Sequence, residues 1–458
     1  MSAPGSLVRH PLAVAGALIT ATSTVVFLAM IVATMIGLFD NPYAGLVVFV
    51  AVPAVLILGM ILVPVGMWLQ RRKLARHPET ANEWPVWDFG VARVRRVVLL
   101  FAAFATLIAA IALVAGYGSL HYMESPTFCG QACHTPMRTQ FMAWQAGPHA
   151  RIACVNCHVG EGARGMVQAK LAGTRQLMHV VTNSVPRPVP PGADVPFGGH
   201  ELTCGRCHQP MKIPGDVVRI KREYAEDEQN TETMTVLLMH VGRANETGRS
   251  IHWHADPSTR IEFASADHAR QTISYVKVTS PNGQVKEYFA DGAAGKTVQA
   301  DALRTMDCVD CHNMVGHRIA TAPEQAVDTA LAAGDVSRTL PFARREGVRL
   351  LKASYTDDDD AARKIDEELR RFYSARSGAI DGAALQRAVT ALQGAYQRNV
   401  FAPMKVTWGT YPDNAGHMAS PGCFRCHDGS HTAKDGTSIN SDCEYCHRQI
   451  DQSPVPNP

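Results

Sequence analysis

Five copies of the pattern Cys-x-x-Cys-His constrain this sequence more than any other feature. The residues that form them are Cys154, Cys157 and His158; Cys204, Cys207 and His208; Cys308, Cys311 and His312; Cys423, Cys426 and His427; and Cys443, Cys446 and His447. A looser sixth copy has three residues between its cysteines and comprises Cys129, Cys133 and His134. This pattern is the attachment signature of c-type haem, in which two thiols bond to the porphyrin and the adjacent histidine ligates iron.

Structural zinc and disulfides are the other common uses of paired cysteines. Four thiolates would close a zinc site and leave the following histidines without a purpose. Disulfides between Cys-x-x-Cys partners are redox-active rather than structural. Because the six sites account for all 12 cysteines, we predict six covalent haems, with a lone disulfide as the alternative at Cys129 and Cys133.

The first 120 residues are strongly apolar, whereas the rest of the chain is polar. Three charge-free runs, residues 12–39, 41–70 and 97–120, each exceed the roughly 20 residues that an α-helix needs to cross a bilayer. We therefore predict transmembrane helices at about 12–39, 42–70 and 97–120 rather than a signal peptide, whose apolar core is shorter. The formal net charge of +3 is too small to indicate nucleic acid as a partner.

The basic residues predict the orientation in the membrane. The loop between the second and third spans is rich in arginine and lysine: Arg71, Arg72, Lys73, Arg76, Arg93, Arg95 and Arg96. The turn between the first two spans holds only Asp40. By the positive-inside rule, the N-terminus is cytoplasmic and everything after His121 is exported. We thus expect a protein of the bacterial inner membrane with its haem domain on the periplasmic side.

The predicted fold is mainly α with extensive loops, comprising three transmembrane helices and an exported multihaem domain with a small β-rich insert. Alternation over residues 251–289 predicts strands, with a hairpin turn at residues 281–283. Helical spacing predicts helices at 322–334, 340–352, 358–373 and 382–398. The acidic run 357–360 fits a solvated helix N-terminus better than a metal site, and the proline-rich residues 185–191 fit an extended connector.

Six segments follow from these patterns. They are a membrane domain (1–120), the first three haem sites (121–214), the β-rich insert (215–300), the fourth haem site (301–322), a helical segment (323–400) and a C-terminal dihaem segment (401–458).

Each regular haem needs a second axial ligand, and the exported part has more spare histidines than the five required. Candidates close to a motif are His149, His317, His417 and His431. One of His252 and His254 is a further candidate, as is His179. We predict that His317 ligates a haem other than that of Cys308 and Cys311, because five residues are too few to reach the opposite face of its own haem.

Several stretches resemble the NapC/NirT-type membrane-anchored multihaem cytochromes c, most closely the larger three-helix inner-membrane members with extra haems. They are residues 125–137, 147–149, 154–158, 168–175, 308–317 and 421–431. The resemblance covers all three spans and most of the exported part. It implies a quinol dehydrogenase that passes electrons from the membrane quinone pool, menaquinol or ubiquinol, toward acceptors outside the membrane.

The resemblance also implies a quinol site. In that family the first haem lies at the membrane surface, its iron takes a methionine just after the motif, and the motif histidine can be left unligated. Met137 would be that ligand here, and Lys170 matches a lysine near the quinol. The family also uses an aspartate after the second motif, but no aspartate occurs between His158 and Asp194 in this sequence. Glu161 and His121 are the substitutes for it as proton acceptor.

The expected function is therefore quinol oxidation with electron relay through about six haems to periplasmic cytochromes or a terminal reductase. Haems with histidine on both faces are closed to substrates, so they carry electrons and do no bond chemistry. Two alternatives stay open: a relay and anchoring subunit of a larger respiratory complex, with a homo-oligomer also possible, and a multihaem reductase of a small nitrogen or sulfur oxyanion. The sequence contains no Cys-x-x-Cys-Lys motif of the kind that such reductases often use.

Overall fold

The structure is a computed structural model of the chain. It describes residues 10–35, 52–76, 90–92, 95–96, 99, 118, 121–132, 134–159, 162–190, 204–209, 215–242, 250–291, 303–376, 378 and 380–455. The chain forms two compact units, Met1–Cys133 and His134–Pro458. The predicted end of the membrane domain at residue 120 therefore falls inside the first unit.

Two long apolar helices form the described core of the first unit, α1 (Pro11–Met35) and α2 (Val52–Arg76). Within the described residues, Leu12–Met30 and Val52–Arg72 are the stretches long and apolar enough to cross a membrane. Both match predicted spans in part, and residues 36–51 lie outside the described part. Almost all of the third predicted span, 97–120, also lies outside it.

Glycines allow α1 and α2 to pack closely in antiparallel orientation. A Cβ atom on Gly16 would lie 2.8 Å from the Gly59 carbonyl oxygen, and one on Gly59 would lie 2.8 Å from the Thr20 nitrogen. Close backbone approach at small residues is the usual way for helices to associate in lipid. The Thr20 hydroxyl donates to the Gly16 carbonyl at 2.8 Å. This bond gives the hydroxyl a partner inside the helix pair, as polar groups in a bilayer require.

The second unit combines short and long helices with two sheets. Its helices are α3 (His134–Gln145), α4 (Val155–His158), α5 (Gly162–Val181), α6 (Cys308–Cys311), α7 (Pro323–Ala333), α8 (Ala343–Lys352), α9 (Asp358–Ser374), α10 (Gly382–Asn399) and α11 (Cys443–Cys446). Its strands are β1 (Val217–Tyr224), β2 (Glu232–Met239), β3 (Arg260–Ser265), β4 (Ile273–Thr279), β5 (Val285–Phe289), β6 (Arg304–Thr305), β7 (Thr432–Ala433) and β8 (His447–Val455).

Both sheets are antiparallel, with strand orders β1-β2-β8 and β6-β3-β4-β5-β7. The predicted hairpin turn joins β4 to β5, and Gly283 adopts the positive φ of +79° that such a turn requires. The start of the predicted strand region is different. Residues Ile251–Ala255 form a 3₁₀ helix because Trp253 and Asp256 donate to carbonyls three residues earlier instead of to a neighbouring strand.

The C-terminal strand joins the insert. Residues of β8 pair with β2 so that His447 lies opposite Met239, and β7 extends the second sheet through β5. The C-terminal dihaem segment therefore contributes one strand to each of the two sheets. Pairing across some 200 residues leaves no local signal in the sequence.

Helices α7 to α10 match the four predicted helices to within a few residues. They bury a core of aliphatic side chains that includes Leu350, Ile365 and Leu392. The Asp357 carboxylate caps α9 by accepting from the Asp360 backbone N–H at 2.8 Å, as predicted for the acidic run. The asparagine Asn230 ties this bundle to the β1–β2 turn by donating to the Leu340 carbonyl at 2.8 Å.

Candidate haem sites

The five regular motifs share one backbone geometry. In each, the histidine N–H donates to the carbonyl of the first cysteine; these bonds run from His158 to Cys154, His208 to Cys204, His312 to Cys308, His427 to Cys423 and His447 to Cys443. A single helical turn puts residues three apart on the same face. Both thiols of each motif can therefore approach one porphyrin edge while the histidine lies beside them.

Each regular motif histidine faces a second histidine from elsewhere in the chain. The ring centroids are 5.9 Å apart for His158 and His317, 6.1 Å for His208 and His149, 6.4 Å for His312 and His252, 5.8 Å for His427 and His254, and 6.0 Å for His447 and His417. Metal–imidazole bonds of about 2 Å on each side, plus about 1 Å from each nitrogen to its ring centre, give about 6 Å. The five pairs therefore fit an iron between two imidazoles.

Four of the five partner histidines are oriented by the backbone. Their Nδ1 atoms contact carbonyl oxygens, His149 that of Val315 at 2.9 Å, His317 that of Gln140 at 2.8 Å, His252 that of Val241 at 2.6 Å and His254 that of Ile251 at 2.7 Å. A carbonyl can only accept, so Nδ1 carries the proton and Nε2 keeps its lone pair. This arrangement fixes the tautomer that metal ligation through Nε2 requires.

Burial favours the ligating, uncharged form of two partner histidines. Loss of hydration lowers the pKa of His317 and His254 below the ordinary histidine value, although the backbone hydrogen bonds to Gln140 and Ile251 oppose the shift. Metal binding needs a neutral imidazole, so these rings are prepared for a ligand role at neutral pH.

Consecutive motifs lie next to one another in chain order. The Cys204 and Cys308 side chains share a hydrogen bond, which lowers the pKa of Cys204 to about 7. Loss of hydration raises the pKa of Cys157, Cys311 and Cys446, and repulsion from the neighbouring motif, Cys204 for the first and Cys423 for the other two, raises each further. The motifs thus form one spatial series from residue 154 to residue 447.

The residues predicted for the first site are described separately for each unit. Cys129 is half-buried in a π-helical turn, Phe128–Ala132, of the first unit, and Cys133 lies outside the described residues. His134 begins α3 in the second unit, where Met137 is half-buried one turn further on.

The structure describes two of the other three predicted quinol-site residues. Lys170 is half-buried on α5, His121 is exposed in the first unit, and Glu161 lies outside the described residues.

Two candidate ligands, His179 and His431, are not paired with a motif histidine among the described residues. His431 is buried, and its Nε2, the atom that would ligate iron, lies 3.0 Å from the Ile273 carbonyl. His179 is exposed on α5 and its Nδ1 lies 2.8 Å from the Ser184 hydroxyl. Nearness to a motif in sequence favoured His431, but its fold position beside β4 commits its Nε2 to the backbone.

Both histidines of the 3₁₀ helix face motif histidines. The sequence favoured one of His252 and His254, yet the structure brings the first to His312 and the second to His427. A strand would have put residues two apart on the same face. The tighter 3₁₀ turn directs the two rings to different partners, a geometry that the sequence pattern alone did not reveal.

Comparison with known proteins shows which family this chain belongs to. Residues 92–188 match the NapC/NirT cytochrome c family, N-terminal region. The cytochrome c-type protein ImcH of Geobacter sulfurreducens is 35% identical over 451 residues, which cover 97% of this chain and 88% of that protein. The chain belongs to the NapC/NirT cytochrome c family. No solved structure matches it.

The properties of this family agree with the features of the chain described above. NapC/NirT cytochromes are membrane-anchored, bind haem c covalently and transfer electrons from quinol, which agrees with the two apolar helices and with the paired cysteines. Residues 92–188 include the loose motif and the first regular motif. The later motifs lie beyond the residues of the family match.

Proposed function

We propose that this chain oxidises a membrane quinol and relays the electrons through six covalent haems to a periplasmic acceptor. The observation that carries the proposal is the set of five histidine pairs, whose ring centroids are 5.8 to 6.4 Å apart. Bound haem c would supply one-electron transfer at its iron. The residues of the chain would hold, space and tune these groups.

The proposed axial pairs are His158 with His317, His208 with His149, His312 with His252, His427 with His254 and His447 with His417. Two histidines on one iron leave no open position for a substrate, so these sites would carry electrons and perform no bond chemistry. This supports the relay over a reductase of small oxyanions. His317 would serve the haem of Cys154 and Cys157, and not its own neighbour.

The order of the motifs supports a direction of flow. Thiols of consecutive motifs are neighbours, so porphyrin edges attached to them would be close enough for rapid electron transfer. Electrons entering near the membrane would pass from the Cys154 motif toward the Cys443 motif. A periplasmic cytochrome or a terminal reductase would then collect them at the C-terminal end of the series.

At the quinol end, we assign Met137 as the iron ligand beside Cys129, Cys133 and His134. Thioether coordination favours reduced iron and would help that haem accept electrons from quinol. Lys170 would bind the quinol oxygens, with Glu161 or His121 accepting protons. Helix α5 carries Lys170 and exposes Leu171, Met178 and Val181 to solvent, which fits a helix that lies against the bilayer surface.

The test replaces Met137 and Lys170 separately by alanine and compares reduction by a menaquinol analogue with reduction by dithionite. We expect both variants to be reduced fully by dithionite but slowly by quinol. Replacement of Gln168, an exposed polar residue on the same helix, is the matched control and should leave both rates unchanged. Parent-like quinol rates in both variants would rule out this entry point.

A further inference from the structure

The histidine pair of the C-terminal motif differs from the other four. His149, His252, His254 and His317 each contact a backbone carbonyl through Nδ1. Among the described residues, no hydrogen bond involves the His417 ring. The ring of its partner, His447, has its Nδ1 buried without a hydrogen-bond partner in the described part of the chain.

Within the part of the chain that the structure describes, an aromatic stack with Phe424 is the contact that orients the His417 ring opposite His447. The His417 ring lies parallel to that of Phe424, with centroids 4.3 Å apart and 22° between the planes. Phe424 is itself 41% exposed, and the adjacent Met418 is 70% exposed. The loop that carries His417 has no regular secondary structure from residue 412 to residue 421. The ring is therefore held by one partly solvated contact rather than by a directional bond.

The missing hydrogen bonds have a chemical consequence. Donation from Nδ1 to an oxygen raises the basicity of Nε2 and fixes the ring, and loss of such an outer partner commonly weakens metal binding by about 10–100-fold. Among the residues that the structure describes, neither His417 nor His447 has this support. Of the five pairs, it would hold its iron least firmly on the His417 side, where the loop can move away.

We propose that His417 is an exchangeable ligand, and that the C-terminal haem site binds small diatomic iron ligands such as carbon monoxide when reduced. The inference rests on the proposed ligation of that site. His417 and His447 would hold the iron of this haem, and carbon monoxide would bind the reduced iron through carbon in place of His417 Nε2, with no change in oxidation state. Phe424 is the positioning residue that limits the exchange, and the other four regular sites stay closed.

Stopped-flow mixing of the dithionite-reduced full-length protein with carbon monoxide tests the inference. We expect a binding phase in the parent protein that becomes faster in Phe424→Leu on the order of tenfold, the factor that corresponds to loss of ~1.4 kcal/mol of stacking. The first haem could also bind carbon monoxide, but its phase would not respond to this substitution. Dissociation of His417 would then be the rate-limiting step.

Trp253→Leu is the matched control. Trp253 contacts the His254 ring edge-on at 5.8 Å, but His254 keeps its bond to the Ile251 carbonyl. We expect no new carbon monoxide phase in this variant. An unchanged phase in Phe424→Leu, or an equal acceleration in Trp253→Leu, would overturn the inference.

His417→Ala separates this inference from the proposed function. If His417 ligates iron, this variant converts one low-spin haem to high spin in the electron paramagnetic resonance spectrum. A conversion without any effect of Phe424→Leu would contradict the exchange alone. No conversion would remove His417 from the ligand set, and with it both the exchange and that part of the proposed relay.

Discussion

The helical segment formed by α7 to α10 and the C-terminal haem segment, residues 413–446, are built on opposite principles. In the first, large aliphatic side chains such as Leu350 and Ile365 are fully buried against one another. In the second, the only buried residues are Asn414, Gly422 and His431. A segment of this length with no large buried apolar side chain cannot stabilise itself by the hydrophobic effect.

The two regions are therefore stabilised by different interactions. The helical segment carries its own core, whereas the haem segment has short motif turns, paired histidines and hydrogen bonds such as that from Arg425 to the Asp310 carbonyl. A porphyrin inserted between the histidine pairs would supply the missing apolar contact. We therefore expect haem insertion and folding to be coupled in this region, as metal binding and folding are in small metal sites.

The largest expected effect comes from removing one attachment site. Replacing Cys423 and Cys426 by serine should lower the haem count by one and leave residues 413–446 sensitive to limited proteolysis. The helical segment should remain resistant, since its core involves no haem. A pyridine haemochrome assay against protein mass, with mass spectrometry of the fragments, measures both. Equal proteolysis of the two regions would show that they do not differ in this way.

The next effect is confined to one haem. His317→Ala should convert one low-spin haem to high spin, because His317 faces His158 at 5.9 Å and no other histidine is assigned to that motif. Electron flow past the Cys154 motif should slow correspondingly. His179→Ala is the control and should leave the electron paramagnetic resonance spectrum unchanged. A parent-like spectrum for His317→Ala would remove His317 from the ligand set.

A core substitution should affect the helical segment without touching the haems. Ile365 is fully buried on α9, so Ile365→Ala should destabilise the segment by about 2–5 kcal/mol. The visible spectrum should stay that of the parent below the unfolding transition. Thermal unfolding followed by circular dichroism tests this, with Arg371→Ala on the exposed face of the same helix as the control. A changed haem spectrum would mean that the two regions are coupled.

The smallest effect concerns the start of α9. Asp357→Ala removes the cap on the Asp360 N–H and should cost about 1 kcal/mol. Asp360 adds a pH dependence, because its hydrogen bond from Lys364 and its other partners lower its pKa from 3.8 to about 2. A lowered carboxylate pKa stabilises the folded form above pH 4 and loses that contribution as the pH falls toward 2. Lys364→Met should therefore reduce the change in the free energy of unfolding between pH 4 and pH 2, which acid titration followed by circular dichroism measures.

The helices, the hairpin and the haem motifs were predictable from the sequence, because each depends on residues that are close together in the chain. The caps, the 3.6-residue spacing and the acidic first turn indicate the four helices of residues 323–399 nearly to their ends, and Pro281 to Gly283 indicate the hairpin. The haem motifs are also local, since five residues carry both thiols and the iron ligand. For the same reason, the sequence alone is enough to identify the residues of each attachment site.

The pairing of histidines was not predictable, because the two histidines of a pair can lie far apart in sequence, by up to about 175 positions for His254 and His427. Proximity in sequence ranked His431 with His149 and His317, but only the sheet shows that the Nε2 of His431 faces the Ile273 carbonyl. Alternation suggested a strand over His252 and His254, whereas local hydrogen bonds make a 3₁₀ turn. The C-terminal strand β8 was not predicted for the same reason, since its partner β2 lies in the insert.

Quinol-driven reduction of the purified parent protein tests the central claim most directly. The anaerobic protein is mixed with a menaquinol analogue, and the α-band absorbance is compared with that after dithionite. If electrons from quinol enter a series of neighbouring haems, quinol should reduce several haems, including those beyond the first. If dithionite reduces six haems per chain and quinol reduces none, the chain does not accept electrons from quinol and the proposed function is wrong.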